Sequence, residues 1–111
     1  MVKENLERFL ARVKLKPHVL EILPAYSLRC CLVVEEERYN FTLTKEKLQM
    51  ESQLDEIDVV IEGPEEEIVS MLSGTKIKDL KNVHFTGTFR HYLFMDSLLT
   101  LVNSPIGKEA G

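Results

Sequence analysis

The side chains able to do chemistry are few: His18, His84 and His91, the adjacent Cys30 and Cys31, the run Glu65-Glu66-Glu67, and the lysines Lys76, Lys78 and Lys81. A metal centre needs Cys, His, Asp or Glu converging at strand or helix intervals, and the three histidines share no such spacing. His91 and Asp96 are five residues apart, a poor separation for a helical acid–base pair, which favours a solvated or capping histidine. Cys30 and Cys31 are neighbours in a strand-like run, so their thiols should point to opposite faces, unable to pair with each other, and stay reduced. Clustered carboxylates serve hydrolysis when one of them is forced to keep its proton. Three glutamates after Gly63-Pro64 are instead explained by the positive end of a helix dipole. Glycine-rich phosphate loops and the G-x-S-x-G elbow are missing, and Ser27, Ser52, Ser70, Ser73, Ser97 and Ser104 have no activating neighbours. The residues therefore predict neither an enzyme nor a cofactor site. Lys76, Lys78 and Lys81 read as a solvated face, or as a contact for an anionic membrane or a fatty-acid carboxylate, each lysine contributing about 1 kcal/mol beside a charged bilayer.

The chain that positions these groups has 111 residues, 44% hydrophobic and 29% charged, with net charge −4. One domain of this size buries roughly 65% of its unfolded surface, enough for a core without disulfides or metal. Residues 1–34, 35–67 and 68–111 carry net charges of +3, −9 and +2. The acidic balance argues against nucleic-acid binding, which needs a basic surface. The longest apolar run is Cys30 to Val34, far below the ~20 residues that span a bilayer, and the N-terminal residues show no apolar signal core. A cytoplasmic protein is expected.

Leu6, Phe9, Leu10 and Val13 recur at helical spacing and predict an amphipathic helix over 3–14, closed by Pro17, with one further turn over 18–23. From Leu28 the period changes to two. Leu28–Val34 is apolar on both faces, as in a central strand, and two strands with one wet face follow over 39–44 and 47–51. A fourth strand covers 57–62. Pro64, the glutamates and Gly74 bracket a helix over 64–73. A fifth strand is expected over 83–89, with Val83, Phe85, Gly87 and Phe89 sharing a face.

The last helix, 91–103, is the unusual element: Leu93, Phe94, Met95, Leu98, Leu99, Leu101 and Val102 cover well over half of its circumference. Such a helix should be covered twice, by its own sheet and by a lipid-like ligand, a second subunit or a membrane surface.

This order of elements resembles a sterol carrier protein 2 domain over residues 28–102. The likeness rests on Ile57-Asp58-Val59-Val60-Ile61, on an apolar helix from Ile68 closed by Leu72-Ser73-Gly74, and on Phe85-Thr86-Gly87 before the last helix. The family's usual second glycine is replaced here by Phe89, Arg90, His91 and Tyr92, with no further glycine until Gly107. The resemblance implies an α+β fold in one domain over 1–111, with a five-stranded, mainly antiparallel sheet covered on one face by helices. It also implies a non-catalytic apolar tunnel for a fatty acid, acyl-CoA or sterol-like lipid. By position the lining would be Ile68, Met71 and Leu72 of the crossover helix, Phe85 of the last strand, and Phe94, Leu98 and Leu101 of the terminal helix. The expected partners are then an apolar small molecule and, at most transiently, a membrane. A different class of function is a ligand-free interaction domain whose terminal helix forms a homodimer, which Leu98→Lys or Leu101→Lys would dissociate.

Overall fold

Leu6, Phe9, Leu10 and Val13 do form the buried stripe of a helix, α1 (Val2–Lys14), and enter one continuous core with the sheet and the other helices. The computed structural model describes residues 2–103; Met1 and residues 104–111, which the expected single domain includes, lie outside the described residues. Pro17 opens a short second helix, α2 (Pro17–Leu20), because its fixed φ and missing N–H suit a first helical turn.

Five strands, β1 (Leu28–Val34), β2 (Glu37–Leu43), β3 (Leu48–Glu51), β4 (Val59–Glu62) and β5 (His84–Thr86), lie in the order β3-β2-β1-β4-β5. Only β1 and β4 run parallel; the other pairs are antiparallel. The register pairs Cys30 with Phe41 and Val59, and Leu32 with Tyr39 and Ile61, so all six side chains share the face that joins the helical core. Cys31 points the other way and is also buried, while neighbouring Thr42 contributes one of the few buried polar side chains of that second face. The sheet is thus covered by helices on one side, as expected of an α+β domain.

Neither hairpin uses an Asn-Gly turn. At the β1–β2 turn Glu35 itself takes the left-handed conformation, with φ 56°, that such a tight connection requires. At the β2–β3 turn Thr44 Oγ1 accepts hydrogen bonds from the backbone N–H of Glu46 (2.9 Å) and Lys47 (3.1 Å), a side-chain turn that replaces the glycine signal.

The third helix, α3, runs Glu65–Leu72, with Pro64 just outside it in extended conformation and Gly74 past its end at φ 118°. A Cβ on Gly74 would meet that of Asn103 at 3.2 Å, so the glycine serves both the helix stop and the approach of the C-terminal helix. The lysine-bearing loop contains a 3-10 turn, Ile77–Asp79, that buries Ile77.

The largest departure from the expected elements is at β5. The strand is three residues long rather than reaching 89, because Gly87 turns the chain at φ 154° and Thr88 caps a helix. Thr88 Oγ1 accepts from the His91 N–H at 3.1 Å, and the helix, α4, spans Phe89–Asn103. Its C-terminal end is pinned by cations. Lys16 Nζ donates to the Val102 carbonyl at 2.6 Å, and Arg12 donates to Asn103 Oδ1 at 3.0 Å and to the Leu72 carbonyl at 3.2 Å. These bonds satisfy carbonyls that α3 and α4 leave unpaired, and place positive charge at the negative ends of both dipoles.

Candidate functional site

The seven expected lining residues lie in or against the hydrophobic core, and of them only Phe85 lines a described depression. Ile68, Met71, Leu72 and Leu98 are fully buried in the single core cluster, and Phe85, Phe94 and Leu101 pack against it half-buried. One expectation is corrected: Leu98 faces inward with no exposure, alongside Met95, Leu99 and Val102, so a lysine there would disrupt the core instead of splitting a dimer. In the C-terminal half of α4, Leu98, Leu99 and Val102 are buried by the protein's own core.

The uncovered apolar area lies in the N-terminal half. Phe89 is 73% exposed and Leu93 49%, one helical turn apart on the same face. Beside them Tyr92 packs edge-on against Phe85 with ring centroids 5.3 Å apart, and lies nearly parallel to Phe89 at 6.3 Å. Phe85, Gly87, Thr88, Phe89 and Tyr92 line a shallow, open depression of about 430 Å³. Gly87 is needed there, since a Cβ would come within 3.1 Å of both the Asp58 carbonyl and the Phe85 ring. Phe89, Tyr92 and Leu93 were not among the expected lining, because Phe85-Gly87-Phe89 alternates like a strand and hides the helix start at Thr88.

Beneath this cleft a polar group closes the end of the sheet. Asp58 Oδ2 accepts from the Arg29 backbone N–H at 2.9 Å and from its guanidinium at 3.3 Å, and the same guanidinium reaches Glu56 at 3.4 Å. Partial burial pushes the Asp58 carboxyl up, but the bonds from Arg29 outweigh it, with a smaller contribution from His91, and hold the group below the usual carboxylate range. His91 Nε2 meets the Tyr26 hydroxyl at 3.3 Å, so the histidine faces this group and not Asp96. A carboxyl depressed in the folded state stabilises the fold above its unfolded pKa, and that stabilisation fades as pH falls through the acid range. Asp58→Asn should therefore lower the urea midpoint at neutral pH and flatten its fall between neutral and acid pH. An unchanged acid slope in urea titrations of the variant would assign the acid sensitivity elsewhere.

The remaining reactive groups lie elsewhere in the fold. Burial pushes both thiols up, strongly for Cys30 and, against the opposing charge of Arg38, for Cys31. Glu67 accepts from the Asn82 N–H at 3.0 Å and from its side-chain amide at 2.7 Å, bonds that hold its carboxyl below the ordinary value and tie the lysine loop to α3. Glu65 joins Glu35 along two clefts of about 310 and 420 Å³ at the other end of the sheet. Lys76, Lys78 and Lys81 are exposed. Among the described residues no cluster of three His, Cys, Asp or Glu could hold a metal ion, and no helix is long and apolar enough to cross a membrane.

No family model matches this sequence, and no curated protein matches it. Among solved structures, the chain superposes on one described as "UbiJ-SCP2 Ubiquinone synthesis protein" with TM-score 0.65 and 9% identity, over 91% of this chain and 94% of that one. At that identity the likeness concerns the fold. The architecture of the described residues, a five-stranded mixed sheet with four helices, is the sterol carrier protein 2-like fold.

Proposed function

We propose that this domain binds and carries an apolar, lipid-like molecule, such as a fatty acid, an acyl-CoA or a sterol-like compound, between the sheet and α4, without catalysis. The observation that carries the reading is the uncovered apolar half of α4, where Phe89 and Leu93 stand exposed beside the cleft of Phe85 and Tyr92. Leu98 and the α3 residues Ile68, Met71 and Leu72 belong to the apolar core, and Phe94 packs against it. A ligand tail enters there by displacing side chains, and Met71 and Met95 suit this because unbranched thioethers re-pack easily. Burying about ten methylenes supplies on the order of 8 kcal/mol, which immobilisation reduces toward micromolar affinity. The structural neighbour is described as a ubiquinone synthesis protein, and ubiquinone is an isoprenoid lipid, which agrees with an apolar cargo. A cytoplasmic setting suits such a carrier.

Native mass spectrometry of freshly purified protein should show a lipid-sized adduct that a fluorescent fatty acid displaces. A ligand-free protein that displaces no fatty acid would contradict the reading. The same exposed residues also support a second one, a ligand-free domain that pairs through the N-terminal half of α4. Under it, mass spectrometry shows an adduct-free dimer that Phe89→Lys or Leu93→Lys dissociates.

A further inference from the structure

We infer that the domain pairs with a second copy of itself edge to edge through β3, a surface that neither reading above uses. The register decides what this edge offers. Thr44 and Lys47 exchange backbone hydrogen bonds, at 2.8 and 3.3 Å, and the same pairing continues through Thr42 with Gln49 and Asn40 with Glu51. Lys47, Gln49 and Glu51 therefore bond to β2, and the N–H and C=O groups of Leu48 and Met50 point away from the sheet. They have no hydrogen-bond partner among the described residues.

An unpaired edge is a template for another strand, and natural edges are usually blunted, often by a lysine. On β3 the lysine is matched. A two-fold axis at Gln49, perpendicular to the sheet, sets two β3 strands antiparallel, with Leu48 opposite Met50 of the second copy. Each such pair exchanges both of its backbone hydrogen bonds, so the outward groups are all satisfied. In that register Lys47 lies opposite Glu51 of the second copy, at the positions where cross-strand side chains come closest. Lys47 and Glu51 cancel in net charge, so the attraction comes from the order of signs along the strand and not from a charged patch.

Both groups are available for this. Within one chain Lys47 Nζ is 3.9 Å from Glu51 Oε2, too far for a hydrogen bond, and the lysine is half exposed. Oε2 also accepts from Thr42 Oγ1 at 3.0 Å and from Gln49 Nε2 at 3.1 Å, which holds the carboxylate at the edge; Oε1 has no partner among the described residues. A depression of about 290 Å³ lies between Leu10, Ala11 and Lys14 of α1 and Leu48, Gln49 and Met50. The helix thus does not seal the strand on the core side, and Met50 of the second copy finds a place beside Leu48.

Sedimentation equilibrium with charge-swapped variants tests this. The unaltered chain should be a concentration-dependent dimer. Lys47→Glu sets glutamate against glutamate across the axis and Glu51→Lys sets lysine against lysine, so each variant alone should weaken the dimer about tenfold. Mixing the two variants matches every glutamate with a lysine, and the mixture should form a heterodimer about as tight as the original. Amide exchange on the unaltered chain gives a second readout, independent of how the variants fold: the Leu48 and Met50 amides should exchange more slowly as protein concentration rises. A monomer at the highest soluble concentration, exchange at these amides that ignores concentration, or a mixture of folded variants that stays monomeric would overturn the proposal. So would a dimer that Leu93→Lys dissociates and Lys47→Glu leaves intact, since that dimer is built on α4.

Discussion

Leu98→Lys should unfold the domain, whereas Leu93→Lys should leave its melting nearly unchanged, although both leucines sit on the same apolar helix. Leu98 has no solvent exposure and belongs to the core shared by the sheet and the helices, while Leu93 is half exposed. Removing a buried leucine costs about 2–5 kcal/mol in lost transfer and cavity terms. An unpaired ammonium in its place adds about 3–5 kcal/mol, the usual penalty for an uncompensated buried charge. The sum approaches or exceeds the roughly 5–15 kcal/mol that holds a domain of this size together. Circular dichroism should show an unfolded Leu98→Lys chain at room temperature. A folded Leu98→Lys protein whose only change is dissociation would mean that α4 presents Leu98 outward.

Phe9→Ala is expected to cost about 3–5 kcal/mol, the range for a buried aromatic, and to lower the melting temperature by roughly 15 °C or more. Phe9 is fully buried among the largest enclosed side chains, midway along α1, in the stripe that also holds Leu6 and Val13. Few positions can relax into the space it leaves, because α1 is held at its far end by the bonds of Arg12 to Leu72 and Asn103. Thermal melts of the variant check this. A drop of only a few degrees would show that α1 is peripheral to the core and that β1 and α4 carry the stability without it.

Where one period dominates, the fold is legible in the residues. The helical stripe of α1 and the doubly apolar run of β1 were read within a residue of their observed limits, because a helix on a sheet and a strand at its centre leave little choice of face. The β5–α4 boundary was misread for an equally local reason. Phe85, Gly87 and Phe89 alternate as a strand would, but the positive φ of Gly87 and the cap on Thr88 Oγ1 start the helix at Phe89. That shift moved Phe89 from a sheet face to the most exposed apolar position of α4. The β1–β2 turn offered no signal, since a glutamate occupies the left-handed position that glycine or asparagine normally announces.

The site was legible in composition and illegible in orientation. Apolar side chains cover so much of α4 that no periodicity separates its inner face, Met95, Leu98, Leu99 and Val102, from its outer one, Phe89 and Leu93. Only the neighbours decide, and they are distant in sequence. The cluster of Tyr26, Arg29, Asp58 and His91 was invisible for the same reason: the parallel register of β1 and β4 brings these residues together, and no local spacing encodes it.

Lipid carriage between the sheet and α4 is tested most directly by methyl-detected NMR while a long-chain fatty acid is added to the protein. Saturable shifts should appear at Ile68, Met71 and Leu98, residues that no surface-bound molecule reaches, together with changes in the Phe85 and Tyr92 rings at the mouth. Shifts confined to Leu93 and its exposed neighbours, with Ile68 and Leu98 unmoved at saturation, would contradict it.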